Sequence, residues 1–146
     1  MQTNLKTAST WANINGGDGG ECFTDYTNND VIYVQYVQGA YSRSMNGGVD
    51  MDPITTGLPS NIDFYSPFKI DPVNPLKIYS GGTATLYKSD NQGDQWQALG
   101  TLSSTSTIKD FVICPSNPAI IYTLQSDAIS KSINSGASFS NITGTL

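Results

Sequence analysis

One turn signature occurs three times in this chain and constrains its fold more than any other feature. It consists of a serine, an asparagine two residues later, a glycine two residues after that, and a large apolar residue three positions further on. The copies run from Ser44 to Met51, from Ser89 to Trp96 and from Ser132 to Phe139. A signature that recurs at intervals of about 43 to 45 residues indicates a repeat architecture rather than an active site.

The signature has a direct physical interpretation as a turn between two strands. Apolar residues precede each serine and resume after each glycine, which is typical of a tight hairpin. The glycines supply backbone with positive φ, and the asparagines can bond their own turn backbone. A functional group would not need to recur in every repeat, so we interpret these residues as structural. The predicted turn residues are Ser44, Asn46, Gly48, Ser89, Asn91, Gly93, Trp96, Ser132, Asn134, Gly136 and Phe139.

A second pattern has the same period. It places an asparagine in a turn and a tyrosine further along in a strand, and two of its copies carry proline pairs that exclude helix. The asparagines are Asn28, Asn74 and Asn117, and the tyrosines are Tyr33, Tyr79 and Tyr122. The prolines are Pro72, Pro75, Pro115 and Pro118. Two independent markers therefore define the same repeat.

These repeats predict an all-β fold of three four-stranded antiparallel blades, a partial β-propeller, because strand-rich repeats of ~40–50 residues are typical of propeller blades. The predicted blades are residues 16–58, 59–102 and 103–146, and residues 1–15 are predicted to form a tail and the last strand of a preceding blade. In that strand Trp11 would take the place that Trp96 has in its own blade. Closed propellers typically have ~4–8 blades, so we expect further blades in the parent chain or self-association.

The composition excludes several classes of function. The 146 residues include 12 acidic and 7 basic side chains, for a net charge of −5, so no basic face for nucleic acid is expected. No apolar run approaches the ~20 residues that span a bilayer, so no membrane span is expected. Abundant serine, threonine, asparagine and glycine with few lysines are typical of secreted β proteins. We therefore expect a secreted or cell-surface location.

The residues offer little for metal or nucleophilic chemistry. The sequence has no histidine, which excludes a Ser-His-Asp triad and a histidine-ligated zinc site. Asp90, Asn91 and Asp94 lack the later glutamate of an EF-hand calcium loop. No metal and no cofactor is therefore expected. Cys22 and Cys114 fall at dissimilar positions of the repeat, so we interpret them as two buried small apolar residues rather than as a disulfide.

The signature resembles the Asp-box, or BNR, repeat of β-propellers, in which Ser-x-Asp-x-Gly-x-x-Trp forms the turn between the third and fourth strands. The copy from Ser89 to Trp96 matches it best. The run from Asp71 to Tyr79 and the glycine-rich loop at residues 16–20 resemble secreted bacterial BNR-like proteins described as glycosyl-hydrolase-like. The arrangement is also similar to sortilin-type and xyloglucanase-type propellers. The chain departs from the box at the acidic position, where asparagine preserves the turn chemistry but removes the charge.

Three functions remain open at this point. We favour an extracellular binding or structural scaffold for carbohydrate or protein. The alternatives are part of a xyloglucanase-like glycoside hydrolase and a structural repeat module of a cell-surface protein or filament. The enzyme requires a pair of carboxylates, and a sialidase-like site would require an arginine cluster where this sequence has Arg43 alone. Asp18, an acid outside the repeat pattern, is the candidate catalytic or binding residue, and Trp11 is a further binding candidate.

Overall fold

The computed structural model describes residues 13–60 and 62–144. Within these residues, strands β1 to β12 form three four-stranded antiparallel sheets, and hydrogen-bonded neighbours are consecutive in the chain. Sheet 1 contains β1 (Cys22–Thr24), β2 (Ile32–Gln35), β3 (Tyr41–Ser44) and β4 (Asp52–Pro53). Sheet 2 contains β5 (Phe68–Ile70), β6 (Ile78–Gly81), β7 (Leu86–Ser89) and β8 (Trp96–Ala98). Sheet 3 contains β9 (Ile108–Ile113), β10 (Ile121–Gln125), β11 (Ile129–Ser132) and β12 (Ser140–Asn141). The predicted all-β fold of three four-stranded antiparallel sheets is confirmed.

One register recurs in all three sheets. The repeated tyrosine of the second strand lies opposite a cation of the third, in the pairs Tyr33 with Arg43, Tyr79 with Lys88, and Tyr122 with Lys131. Residues directly opposite each other in an antiparallel pair point to the same face of the sheet. We name this the trailing face, because in sheets 1 and 2 it packs against the next sheet along the chain. The opposite side of each sheet is its leading face.

Two apolar cores lie between the sheets. The core between sheets 1 and 2 contains Val31, Tyr33, Tyr41, Ile54, Ile62, Phe68, Ile78 and Trp96. The core between sheets 2 and 3 contains Tyr79, Leu86, Leu102, Ile108, Phe111, Ile113 and Ile121. Burial of a large apolar side chain contributes ~1.5–3 kcal/mol, so these two cores are the main force that holds the sheets face to face.

The two sequence markers meet at one end of each sheet. The side-chain oxygens of Asn28, Asn74 and Asn117 each accept a backbone N–H two residues later, at 3.1 to 3.2 Å. A backbone hydrogen bond of 2.8 to 2.9 Å then joins the signature turn to the asparagine turn in each sheet. The donor N–H groups belong to Gly47, Gln92 and Ser135, and the acceptor oxygens belong to Asp30, Leu76 and Ala119, respectively. The markers share a period because each repeat needs both turns to close this end of the sheet.

The interpretation of both cysteines as buried is wrong. Cys22 is exposed, Cys114 is partly exposed, and both thiols are free. Cys22 pairs with Val34 and so points to the leading face of sheet 1, which no other sheet covers within the described residues. Cys114 follows β9 in a turn, where its sulfur lies 3.2 Å from the hydroxyl of Ser116. That hydrogen bond, with the backbone N–H of Asn117, lowers the pKa of the Cys114 thiol.

The strands of the three sheets fall within residues 16–58, 59–102 and 103–146, but the boundaries between predicted blades lie in connecting segments and stay predictions. Trp11 and the predicted strand that contains it extend outside the described residues. A single 3-10 turn, Val37–Gly39, is the helical element of the described chain. No helix in that part of the chain is long and apolar enough to cross a membrane.

Candidate functional site

An open cleft of about 730 Å³ lies where the first strands of the three sheets begin. We name β1, β5 and β9 the inner strands. Sheet 1 contributes Glu21 and Gln35 to the cleft, the segment before β5 contributes Tyr65, β5 contributes Lys69, and β9 contributes Asp110. All three sheets supply walls, so the cleft exists only when the sheets are assembled.

The cleft and the signature turns lie at opposite ends of the sheets. Each inner strand starts at the cleft and runs away from it, and the strands of a sheet alternate in direction. The third strand of each sheet therefore also runs away from the cleft, and the signature turn follows its last residue. A ligand in the cleft would not reach the signature turns.

Both lysines of the cleft are paired with carboxylates. Lys69 Nζ binds the carboxylate of Asp110 and donates a 2.8 Å hydrogen bond to the backbone oxygen of Phe111. Lys109 Nζ lies 3.5 Å from Asp63 Oδ2. Exposed ion pairs contribute only ~0–1 kcal/mol, so these pairs position side chains more than they stabilise the fold. Within the described residues, no group of three or more histidine, cysteine or acidic side chains could hold a metal ion.

A buried amide lines the base of the cleft, and a buried phenol lies behind it. Gln35 is 3% exposed; its Nε2 donates to the Ser66 backbone oxygen at 2.8 Å, and its Oε1 accepts the Glu21 N–H at 3.0 Å. The hydroxyl of Tyr41 lies behind it, 2.6 Å from Ser80 Oγ. Burial raises the pKa of Tyr41 to about 12. The base of the cleft is therefore neutral and ties sheet 1 to sheet 2.

An aromatic pair lies at the rim. Tyr65 is 52% exposed and Phe64 is 48% exposed, and their rings meet edge to face with centroids 4.8 Å apart. The backbone of this segment is held on both sides: the Phe64 N–H donates to Asp63 Oδ1 at 2.9 Å, and the Phe64 oxygen accepts the Gln38 N–H at 3.1 Å. Of the two rings, that of Tyr65 lines the cleft, next to the Lys69–Asp110 pair.

The sequence-based site candidates lie elsewhere. Asp18 is exposed in the glycine-rich loop, it lines neither this cleft nor the groove beside that loop, and no other described residue bonds to its carboxylate. Trp11 lies outside the described residues. The structure therefore does not bring Asp18 together with the cleft residues, and a role for it stays a prediction.

Sequence reasoning missed Glu21, Tyr65, Lys69, Lys109 and Asp110. A signal for two of them was present, because Glu21 and Asp110 take the same position of the repeat, immediately before Cys22 and Phe111. Polar residues at that position could have indicated a shared end of the sheets. Tyr65 carried no such signal, since its segment has no counterpart in the other repeats.

The signature turns share one hydrogen-bond pattern. Ser89 Oγ accepts the Gly93 N–H at 2.8 Å and donates to Asn91 Oδ1 at 2.8 Å, and Asn91 Oδ1 accepts the Gln95 N–H at 3.0 Å. The corresponding bonds occur in the turns of Ser44, Asn46 and Gly48 and of Ser132, Asn134 and Gly136. The glycine of the signature has positive φ in all three copies, with values of 88°, 101° and 84° in Gly48, Gly93 and Gly136. This geometry supports a structural role, which mutation can test.

No family model matches the sequence, and no curated protein matches it. Solved structures do match. An ancestral GH74 enzyme aligns with a TM-score of 0.69 at 17% identity, over 88% of this chain and 19% of that chain. The GH74 xyloglucanase from Xanthomonas campestris aligns with a TM-score of 0.65 at 17% identity, over 84% and 23%. YCF48 from Cyanidioschyzon merolae aligns with a TM-score of 0.60 at 12% identity, over 85% and 36%.

The three sheets are blades of a β-propeller. The GH74 and YCF48 structures are β-propellers, and the sheets of this chain align with them over more than four fifths of its length. The chain spans between 19% and 36% of the length of these neighbours, so it corresponds to part of a propeller. At such low identities the likeness establishes the fold and not the chemistry.

Proposed function

We propose that this propeller segment is an extracellular binding scaffold of the Asp-box type and that it binds carbohydrate in the cleft at the start of its inner strands. The observation that carries the proposal is the half-exposed ring of Tyr65 at an open cleft of about 730 Å³, whose other walls include Glu21, Lys69 and Asp110.

The chemistry of the cleft suits a sugar chain. A sugar ring has an apolar face of C–H groups and a rim of hydroxyls, and ligand sites typically combine apolar or aromatic surface with a few placed polar groups. Tyr65 offers the aromatic surface, and the Lys69–Asp110 pair offers a donor and an acceptor at a fixed spacing. Both lysines of the cleft are already paired with carboxylates, which favours a neutral ligand over an anionic one.

A polysaccharide ligand implies a location outside the cell, so the proposal includes secretion or display at the surface of a bacterium. The net charge of −5 supports a neutral or cationic partner and not a nucleic acid. The residue usage, rich in serine, threonine, asparagine and glycine, supports the same location.

A glycoside hydrolase is the second candidate. Two observations favour it: the fold likeness to GH74 enzymes, and the presence of two carboxylates, Glu21 and Asp110, on the walls of one cleft. Hydrolysis of a glycosidic bond needs two carboxyl groups that flank it, ~5–9.5 Å apart according to mechanism. In this alternative Glu21 and Asp110 form the pair.

Affinity electrophoresis with soluble xyloglucan, galactomannan and mixed-linkage glucan tests the proposal. We expect retardation by at least one of them, and we expect Tyr65→Ala to weaken it about tenfold or more, since stacking of this kind is worth ~1–3 kcal/mol. Tyr26→Ala is the matched control, because Tyr26 is 50% exposed and lies at the opposite end of sheet 1. Asp18→Asn should also bind like the unchanged protein.

The outcomes separate the candidates. Release of reducing ends that disappears in both Glu21→Gln and Asp110→Asn would establish the hydrolase. A folded protein that binds none of the polysaccharides would refute carbohydrate binding and leave a structural module or a peptide partner; a peptide complex is described for one neighbour, YCF48 bound to D1 peptide. Loss of binding in Asp18→Asn alone would move the site to the glycine-rich loop.

A further inference from the structure

We infer that the trailing face of sheet 3 binds the leading face of sheet 1 in a second copy of this chain. The trailing face of sheet 3 is the surface around Val112, Tyr122 and Leu124, on β9 and β10. The chain contains two buried interfaces between successive sheets. In each of them the leading face of one sheet covers the trailing face of the sheet before it.

In the first interface, one phenylalanine of sheet 2 covers the trailing face of sheet 1. The ring centroid of Phe68 lies 4.7 Å from that of Phe23, 4.2 Å from that of Tyr41 and 6.1 Å from that of Tyr33. Tyr33, the repeated tyrosine, is 0% exposed. The incoming leading face therefore seals the tyrosine completely.

The second interface repeats this arrangement. Phe111, at the repeat position of Phe68, covers the trailing face of sheet 2, with its ring centroid 6.2 Å from that of Tyr79. The Lys69 ammonium, at the position of Phe23, lies 5.3 Å from the centroid of the same ring. Tyr79 is 2% exposed. The same positions thus form both interfaces.

On sheet 3 the same positions are open to solvent within the described residues. Val112, at the position of Phe23 and Lys69, is 53% exposed, and Leu124 is 47% exposed. Tyr122, the third repeated tyrosine, is partly exposed, and a groove of about 220 Å³ runs beside it. A cluster of exposed apolar residues on one face marks an interaction surface.

The leading face of sheet 1 has the matching character. Cys22 takes the position of Phe68, Ile32 takes the position of Ile78, and Val34 lies beside them on the same face. A groove of about 530 Å³ runs along these residues, and the Cys22 thiol is exposed. Cys22 is smaller than Phe68 and Phe111, the residues at its position in sheets 2 and 3.

Charges match as well. In the first interface Arg43 donates to the Gln92 backbone oxygen at 2.9 Å and pairs with Asp94 at 2.9 Å, both in the signature turn of sheet 2. Lys131 takes the position of Arg43 on sheet 3. In the signature turn of sheet 1 the acid is Asp50, one residue beyond the position of Asp94, and its carboxylate accepts the Asn46 amide at 2.8 Å, so a second copy would offer Lys131 an acid in the same turn.

Geometry favours closure with two copies. Joined at both pairs of faces, two copies place their six described sheets in one ring, and closed propellers have ~4–8 blades. One place on the leading face of sheet 1 is already occupied. Ile54, which follows the last strand of sheet 1, lies against Gly93 in the signature turn of sheet 2, and Ile14 lies against Gly48 in the signature turn of sheet 1 in the same way. The second copy therefore docks through β9, β10 and β11 of its sheet 3.

Light scattering after gel filtration gives the first test. We expect the mass of a dimer for the unchanged protein and of a monomer for Leu124→Asp. Leu76→Asp is the control, because Leu76 is 51% exposed in a turn at the far end of sheet 2, and it should leave the dimer intact. Circular dichroism establishes that each variant is folded. A monomeric unchanged protein at high concentration, or a dimer that survives Leu124→Asp, would overturn the inference.

The native thiol of Cys22 gives a second test that does not rely on weakening the surface. In a Cys114→Ser background, Val112→Cys would face Cys22 of the other copy across the ~10 Å that separates packed sheets, within reach of a short bismaleimide. We expect a covalent dimer on a denaturing gel for this variant and mostly monomer for Leu76→Cys in the same background. Equal yields from both variants would contradict the assigned faces.

Discussion

The indole nitrogen of Trp96 donates a hydrogen bond to the backbone oxygen of Ile54 at 2.7 Å, which joins sheet 2 to the residue that follows β4 in sheet 1. The Trp96 side chain is 2% exposed, and its ring centroid lies 5.9 Å from that of Tyr41 and 6.2 Å from that of Phe68. One side chain of the signature thus contributes both a polar bond and apolar packing to the interface between two sheets.

Trp96→Ala should therefore lower the free energy of unfolding by ~3–5 kcal/mol, since it leaves a cavity in a packed interface. Urea unfolding followed by circular dichroism measures this change. Trp96→Phe is the control: it keeps most of the ring and loses the hydrogen bond, so we expect a smaller loss, with ~1–3 kcal/mol from the unpaired Ile54 oxygen. Similar losses in both variants would show that packing contributes little.

Gly93→Ala should also destabilise the fold. Gly93 has a φ of 101°, and an added Cβ would lie 2.6 Å from Ile54 Cδ1, so the variant suffers both backbone strain and a clash. We expect a loss of ~1–3 kcal/mol in thermal or urea unfolding. Gly19→Ala is matched to it, because nothing lies within 4 Å of its added Cβ, and it should stay within ~0.5 kcal/mol of the unchanged protein. A neutral Gly93→Ala would be inconsistent with a tightly packed turn.

Replacing the signature asparagine by aspartate should have different effects in two turns. The Asn46 amide donates to the Asp50 carboxylate at 2.8 Å, whereas the Asn134 amide donates to the Ser138 hydroxyl at 3.0 Å. Asn46→Asp replaces a hydrogen bond by two facing carboxylates, so we expect a loss of ~1 kcal/mol that salt reduces. Asn134→Asp can accept from Ser138 and should stay within ~0.5 kcal/mol. Equal melting temperatures at low salt would contradict this difference.

Tyr41 should make the fold sensitive to alkali. Burial raises its pKa to about 12 in the folded protein, whereas an unfolded tyrosine ionises near ~10. The stability from neutral Tyr41 is fully present below pH ~10 and is lost as the pH rises from there towards 12. Tyr41→Phe loses the bond to Ser80 at neutral pH but lacks this alkaline loss.

Urea unfolding at neutral pH and near pH ~11 compares the two proteins. We expect Tyr41→Phe to be less stable by ~0.5–1.5 kcal/mol at neutral pH and to lose less stability than the unchanged protein on going to high pH. Tyr33 and Tyr79, whose pKa values burial also raises, are present in both proteins, so the difference isolates Tyr41. Parallel losses in both proteins would mean that the Tyr41 hydroxyl is solvated.

The local structure of the repeats could be predicted from the sequence. The serine, asparagine and glycine of the signature turns form hydrogen bonds within five residues of one another. The tyrosine of each repeat and its neighbours along the strand point to alternate faces of the sheet. Such short-range bonds and alternation depend on residue type and spacing alone. The same patterns therefore predicted the strands and the all-β fold.

Burial and the cleft depended on the tertiary structure. Tyr33 and Tyr122 have the same place in the repeat, yet Tyr33 is fully buried and Tyr122 is not, because sheet 2 covers one and no described sheet covers the other. Cys22 is exposed for the same reason on the opposite face. The cleft joins Glu21, Tyr65 and Asp110, which lie far apart in the chain and meet only where three sheets converge. Burial depends on what lies beside a face in space, and sequence spacing carries no record of that.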